Sequence, residues 1–496
     1  MSTVPTISPP DVSATGVTPV DGRRFQALWI IAIAQLMVVL DASIVTVALP
    51  SAQRGLHISV ADRQWVITAY TLAFGGLLLL GGRIADFVGR KRIFEISLIG
   101  FAGASALGGL AENAAMLFGA RAIQGAFAAL MAPAALSLIT VTFTDAKERA
   151  RAFGVYGAIS GGGAAIGLIM GGMLTQWASW RWTLLVNVPI ALIAVAGSRR
   201  VVKESRAEGH VRYDIIGTAT ITAGLVALVY GFTKAETDGW SSTTTMGFLA
   251  IAAALIVAFV LIESRIDHPL LPLRVLTERN RGAAYLGGLL MGAGMFGTFV
   301  LLTYYLQATL HYSALKTGFA FLPFSLGVIT GATLSSQLLT RIGPRRILTA
   351  GMLLGALGLI LFSRVGVDTG FWSHVLPPEL LTSIGLGSAF VPLTNTALVG
   401  VDKADSGVAS ALVNTAQQVG GSLGTALLNT VAASTTAGYL ASHAKTGPFE
   451  AHGMVHGYTV AFTVAAAILA LSAVASGILV QPHRFHLNLE ADAMVA

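Results

Sequence analysis

Asp41 stands inside an apolar stretch, with Met37, Val38, Ile44 and Val45 at the helical neighbour positions three and four residues away. A charge at the centre of a membrane-crossing helix costs about 2.5–3.5 kcal/mol, so a carboxylate there calls for a functional reason. Loss of water favours a protonated carboxyl and a nearby cation favours an ionised one; a group balanced between the two can load and release a proton. The competing reading is a fixed ion pair that tethers two helices. Arg121 is the matching exception among the basic residues. Gln124, Gly125 and Ala128 follow it at helical spacing, so one face carries a guanidinium, an amide and small side chains. An always-charged guanidinium needs a partner or water, and this face is expected to line a cavity in which Gln124 meets the substrate. Glu379, after Pro377-Pro378, is a second acid near membrane depth. It is either a further proton carrier or a side chain reaching to the interface.

Other reactive chemistry is sparse. With no cysteine, the chain has no disulfides, thiolate metal sites or cysteine nucleophiles. Gly161-Gly162-Gly163 lacks the Gly-Lys-Ser/Thr ending of a phosphate-binding loop, so ATP is not expected to power the protein. His452 and His456 lie four apart but lack the His-Glu pair of a zinc helix, and neither metal nor cofactor is expected. Gly163, Gly167 and Gly171 recur at four-residue spacing, with Gly157 and Gly161 on a neighbouring stripe, which permits close helix approach.

The scaffold around these residues follows from composition. Of 496 residues, 54% are hydrophobic and only 11% charged, whereas a soluble protein carries about 25% charged residues. Disorder is excluded on the same grounds. A mean hydropathy of +0.73 and 56 glycines point to an all-α polytopic membrane protein. The net charge of +7 is then explained by basic loops at a membrane surface, and no nucleic-acid partner is implied.

Apolar stretches of about 20 residues, the length that crosses a bilayer, start near Leu28, Trp65, Ile93, Leu117, Phe153 and Trp182. Others start near Ile215 and Phe248, and then near Ala283, Gly318, Ile347, Val375, Val408 and Tyr458. With about fourteen spans and a cytoplasmic N-terminus, 23 of the 31 Lys and Arg residues fall on the inner side, seven on the outer, and Arg121 within a span. That asymmetry follows the positive-inside rule and places both termini in the cytoplasm. The chain also repeats: Asp86-Phe87-Val88-Gly89-Arg90-Lys91-Arg92 has a counterpart in Thr340-Arg341-Ile342-Gly343-Pro344-Arg345-Arg346. Two six-span halves, 25–200 and 281–480, are therefore expected, with a two-helix insert at 201–280 and short tails at 1–24 and 481–496.

At this point the residues resemble a known family. Leu40-Asp41-Ala42-Ser43-Ile44-Val45-Thr46-Val47-Ala48-Leu49-Pro50 is similar to the first-helix signature of the fourteen-span drug:proton antiporters of the major facilitator superfamily. Gly82-Arg83-Ile84-Ala85-Asp86-Phe87-Val88-Gly89-Arg90-Lys91-Arg92 resembles that superfamily's inner-loop motif, and Arg121-Ala122-Ile123-Gln124-Gly125 its fourth-helix motif. Trp180-Arg181-Trp182 with Asn187-Val188-Pro189, and Gly407-Val408-Ala409-Ser410 with Asn414-Thr415, are similar to further family positions. The resemblance runs from about Leu28 to Val480. It implies proton coupling through Asp41 with help from Arg121, and a cytoplasmic latch formed by Arg83, Asp86 and Arg90 with Gly82 and Gly89, in which Asp86 complements a helix N-terminus. Gly163, Gly167, Gly171 and Gly172 fall in the gating motif, with one departure. Leu168 stands where the family has proline, so the helix keeps a backbone bond and loses a kink. The second-half loop has Thr340 where Asp86 stands in the first, which weakens its latch.

The expected protein is a proton-driven exporter in a bacterial inner membrane, working by alternating access as a monomer among lipids. Its expected cargo is lipophilic drugs or antibiotics, monocations among them. Trp65, Tyr70, Tyr304, Tyr305, Asn414 and Gln417 are candidates to line the cavity with Gln124; for each aromatic, an interfacial position is the other reading. Two rival functions remain: dedicated export of one self-made metabolite, antibiotic or lipid, and a membrane receptor or sensor that binds without transporting.

Overall fold

The computed structural model describes residues 22–60, 62–143, 146–206, 214–266, 271, 273–399, 401, 406–443 and 447–481, with some side chains in these stretches left outside the description. Both predicted tails lie almost wholly outside the described residues. No strand occurs among the described residues. The first half comprises α1 (Gly22–Gly55), α2 (Trp65–Val88), α3 (Arg90–Gly109), α4 (Ala114–Thr142), α5 (Ala146–Trp177) and α6 (Asn187–Val201), the last preceded by a single turn at Trp182–Leu185. The insert is α7 (Ile215–Asp238) and α8 (Thr243–Glu263). The second half comprises α9 (Arg279–Tyr304), α10 (Leu322–Ile342), α11 (Pro344–Phe362), α12 (Leu376–Leu398), α13 (Ser406–Ser442) and α14 (Gly447–Leu479). A short helix, Ala314–Ala320, leads into α10.

Local sequence explains where these helices begin. Asn113 accepts from the Met116 N–H at 2.9 Å to open α4, and Ser242 does the same for Thr245 at 3.1 Å to open α8. Each satisfies a donor that the first turn would leave bare. The repeated loops turn on glycine: Gly89 separates α2 from α3 at φ +120°, and Gly343 separates α10 from α11 at φ +77°. Both values lie where a side chain is strained.

The duplication extends to packing. In the first half α1 packs on α5 and α6, α4 on α2 and α3, and α3 on α6. In the second half α9 packs on α13 and α14, α12 on α10 and α11, and α11 on α14. Element for element, these are the same pairings shifted by eight helices. The halves meet through α2 with α13, α5 with α10 and its leading helix, and α1 with α9. The insert lies along the first of these seams: α7 contacts both α2 and α13, burying Leu225 and Val229 against Leu72 and Val419. Thr222 Oγ1 donates to the Gly76 carbonyl at 3.2 Å.

Among the described residues, eight helical stretches are long and apolar enough, by length and composition, to cross a membrane. Helix α13, rich in Gly, Ser, Thr and Asn, is not one of them; it packs between neighbours, where Ser422, Thr415 and Asn429 find partners on α2 and in the turn before it. Helix α5 runs unbroken from Ala146 to Trp177 with no proline inside, as the Leu168 departure predicts.

Close approach is decided by missing side chains. A Cβ on Gly125 of α4 would lie 2.2 Å from the Tyr70 carbonyl oxygen of α2, whereas one on Gly119, two turns earlier, would meet nothing within 4 Å. Gly125→Ala is therefore expected to destabilise the protein by about 1–3 kcal/mol through overpacking. Gly119→Ala should leave unfolding of the detergent-purified protein unchanged.

Candidate functional site

Five helices of the first half bring their polar residues to one point. Asp41 (α1) is 0% exposed and Arg121 (α4) 1% exposed. Arg121 Nη1 donates to Asp41 Oδ2 at 2.6 Å and to Gln124 Oε1 at 2.9 Å. Its Nε donates to the Val66 carbonyl of α2 at 2.9 Å, and its guanidinium lies 4.4 Å from the centre of the Tyr70 ring. The other carboxylate oxygen, Asp41 Oδ1, accepts from Gln124 Nε2 at 3.0 Å and from Asn187 Nδ2 of α6 at 2.8 Å. Ser105 of α3 accepts from both amides, at 2.6 Å from Gln124 and 3.1 Å from Asn187. The carboxylate thus has one charged and two neutral donors. Such matching is what a buried ion pair needs to offset its lost hydration.

This geometry corrects two expectations. Arg121 does not line a cavity in this conformation, because the pair turns inward and seals itself from solvent. Gln124 likewise is no cavity residue: it is 0% exposed and joins Asp41, Arg121 and Ser105. Ser105 and Asn187 were not singled out as site residues from their sequence positions. Their neutral side chains give no signal until α3 and α6 are packed against α1.

A second polar cluster closes one end of the bundle, where α1 ends and α2 begins. Arg63, buried between the halves, donates from Nε to Asn429 Oδ1 of α13 at 2.9 Å. Its guanidinium sits 3.8 Å from the Tyr304 ring centre. The Tyr304 hydroxyl donates to Gln53 Oε1, and Gln307 Nε2 donates to the Val47 carbonyl at 2.9 Å. Deeper along the same seam, the Thr71 and Ser422 hydroxyls are 2.5 Å apart, and Thr415 Oγ1 donates to the Gly75 carbonyl at 3.2 Å. Together these contacts form a seal joining the two halves.

The remaining cavity candidates are scattered. Tyr304 belongs to the seal. Tyr305 is fully buried, its hydroxyl donating to the Gly366 carbonyl at 2.8 Å. Tyr70 lies behind Arg121, and Trp65 faces the insert, 6.2 Å from the Tyr230 ring. Of the seven expected cavity residues, Asn414 on α13 is exposed, Gln417 on α13 and Trp65 are half-buried, and the other four are buried. Burying an aromatic ring is favourable wherever packing allows, so residue type alone did not separate seal from cavity.

Glu379 is 0% exposed, so it does not reach up to an interface. Its Oε1 accepts from the Phe324 N–H at 3.1 Å in the first turn of α10, where a helix N-terminus favours negative charge. Its Oε2 has no hydrogen-bond partner.

The glycine motif splits between two surfaces. A Cβ on Gly163, Gly167 or Gly171 would strike α1, at Leu36, Ser43 and Ile44 respectively. Gly172 instead faces the other half, where its Cβ would lie 2.6 Å from the Leu315 Cα. Gly82, within α2, rests against Pro133, and at the start of α3 the Arg90 N–H donates to the Ser205 carbonyl at 2.9 Å. The side chains of Arg83 and Asp86 lie outside the described residues. The carboxylate that caps α3 is Glu204, from the linker after α6, which accepts from the Lys91 and Arg92 N–H groups at 3.1 Å each.

Removing one partner of a buried pair leaves the other uncompensated. Arg121→Gln is expected to destabilise the protein by about 3–5 kcal/mol, and Asp41→Asn/Arg121→Gln by less than the sum of the two single variants. Unfolding of the four proteins at one pH measures both effects.

Comparison with known proteins places this geometry in context. The model of the Major Facilitator Superfamily matches residues 31–425. A puromycin resistance protein of Streptomyces alboniger is 48% identical over 479 residues, 95% of this chain and 95% of its own length. A cephamycin export protein of Amycolatopsis lactamdurans is 39% identical over 438 residues, 87% of this chain and 90% of its own. Among solved structures, a bacterial homologue of the human lysosomal transporter Spinster aligns with a TM-score of 0.67 at 14% identity, over 95% of this chain and 98% of that one. An autoinhibited peptide transporter of the POT family aligns with a TM-score of 0.66 at 16% identity, over 92% and 96%. The fold is shared with both, and the chain belongs to the major facilitator superfamily of membrane transporters.

Proposed function

We propose that this transporter is a proton-driven exporter of lipophilic drugs or antibiotics, resident in a bacterial cytoplasmic membrane. The observation that carries the reading is the Asp41–Arg121 pair, buried in the first half within a shell of neutral donors. A proton on Asp41 removes half of the charge pair that holds α1 to α4, so the stability of that contact depends on proton occupancy.

The pair has a mechanical connection to the seal. Val47 and Gln53, both engaged by the second half, lie 6 and 12 residues beyond Asp41 on α1, about 9 and 18 Å along the helix, with Pro50 between Val47 and Gln53. Helix α5, pressed on α1 by three glycines, meets the second half through Gly172. A shift of α1 relative to α4 therefore bears on the interface that must open in alternating access. With Arg90, Lys91 and Arg92 at the opposite end, the positive-inside rule favours an outer position for the seal. Opening the seal would admit a proton from outside, and closing it would deliver the proton inward while cargo moves out. One proton falling through about 100 mV supplies roughly 2.3 kcal/mol, enough for about a 40-fold gradient. Arg121, Gln124 and Asn187 hold the ionised carboxylate, and no cofactor enters the cycle.

The curated relatives named above are each known by a single antibiotic, which favours a second reading in which one self-made compound is the cargo. A panel of unrelated dyes and antibiotics separates the two, since a dedicated exporter would ignore most of them. In proteoliposomes with an imposed pH gradient, the wild type should move protons in response to substrate, and a folded Asp41→Asn variant should not. Absence of any substrate-driven flux in the wild type would favour a receptor, and undiminished flux in Asp41→Asn would remove Asp41 from the mechanism.

A further inference from the structure

The shell around Asp41 is built for one protonation state. All three of its polar contacts are donors: Arg121 Nη1 at 2.6 Å, Asn187 Nδ2 at 2.8 Å and Gln124 Nε2 at 3.0 Å. A protonated carboxyl carries its own O–H and needs an acceptor in this same dry space. Arginine cannot supply one, being a donor only. Gln124 is held at both ends, with Oε1 accepting from Arg121 at 2.9 Å and Nε2 donating to Ser105 at 2.6 Å as well as to Asp41. Turning it would set its amide N–H donors against the donor-only guanidinium of Arg121.

Asn187 is differently placed. It is 0% exposed, its Nδ2 reaches only Asp41 and Ser105, and its Oδ1 has no hydrogen-bond partner. We propose that Asn187 is the positioning residue that follows the protonation of Asp41, its amide turning over to offer Nδ2 to the carboxylate and Oδ1 to the carboxylic acid. The proposal rests on the reading of Asp41 as the proton carrier. The exchange balances: a proton binds Asp41 Oδ1, the new O–H donates to Asn187 Oδ1, and no covalent bond changes elsewhere. Ser105 adapts by rotation, since a hydroxyl can donate to the turned Oδ1 while still accepting from Gln124.

The other groups facing Asp41 are few. Arg121 comes from α4, and the Tyr70 phenol of α2 lies across the guanidinium. Helices α3 and α6 present the neutral Ser105 and Asn187. Asn187 is also the first residue of α6, directly after the break at Val186 that separates α6 from the turn Trp182–Leu185. A turned amide here changes the bonding of α6 to α1 and α3 at the point where its backbone is already interrupted.

Infrared difference spectra of the reconstituted full chain, acidic minus alkaline buffer, test this without relying on transport. The wild type should show a protonated-carboxyl stretch that Asp41→Asn lacks, together with an asparagine amide band, identified by isotope-labelled asparagine, that Asp41→Asn also lacks. In Asn187→Leu the carboxyl stretch should persist and move to higher frequency, as expected for an acid that has lost its acceptor, and the amide band should vanish. A carboxyl stretch at unchanged frequency in Asn187→Leu and Asn187→Ala would overturn the role of Asn187 while leaving Asp41 as carrier. If neither variant folds, the labelled wild type still decides, because an amide band that does not respond to pH excludes the turn. A wild type with no pH-dependent Asp41 stretch would overturn the carrier reading, and this inference with it.

Discussion

Charge withdrawn from water must be matched by other charges and dipoles or given up, and the first half of this transporter is arranged around one such match. Asp41 and Arg121 come from helices that touch only lightly elsewhere, and their contact draws in Gln124, Ser105, Asn187 and the Val66 carbonyl. Apart from each other, the partners that hydrogen-bond the pair are neutral, and the Tyr70 ring lies against the guanidinium. Small residues such as Gly125 let α2 approach closely enough for its carbonyl to serve as an acceptor. Packing and electrostatics are therefore one problem here: the charge pair is tolerable only where the helices come close.

The seal obeys a different balance. Arg63 has no acidic partner among the described ion pairs; it is held by an amide and by the faces and hydroxyls of tyrosines. Neutral partners stabilise a guanidinium less than a carboxylate would, so the closed end is held without being locked. That suits an interface that must part in each cycle. The insert belongs to the same seam, since α7 rests on α2 and α13 together and donates to the Gly76 carbonyl. It covers the line where the halves meet with the apolar Leu225 and Val229.

The internal repeat also divides labour. Both halves use the same helix pairings and the same glycine turn between their second and third helices, but the first half holds the ion pair and the second half holds Glu379 as a helix-capping acid. Duplicated backbones have thus been given different polar interiors. The α2–α3 loop shows a similar substitution of parts, with a linker carboxylate, Glu204, meeting the amides at the start of α3.

Much of this was legible in the amino-acid order. Scarcity of charge announced a membrane protein, and the repeated Gly89 and Gly343 turns recur between matching helix pairs of the fold. Asp41 and Arg121 stood out because each is expensive at its depth, and cost is a property a single position carries. What tertiary structure alone decided was partnership. That Arg121 turns to Asp41 instead of a cavity, that Gln124 joins the pair, that Tyr304 seals while Trp65 meets the insert, and that Asn187 and Ser105 complete the shell all depend on which helix faces which. Neutral amides, hydroxyls and aromatic rings cost little in many settings, so their positions in the chain do not announce their roles; those are set only when the helices pack and each donor finds its acceptor.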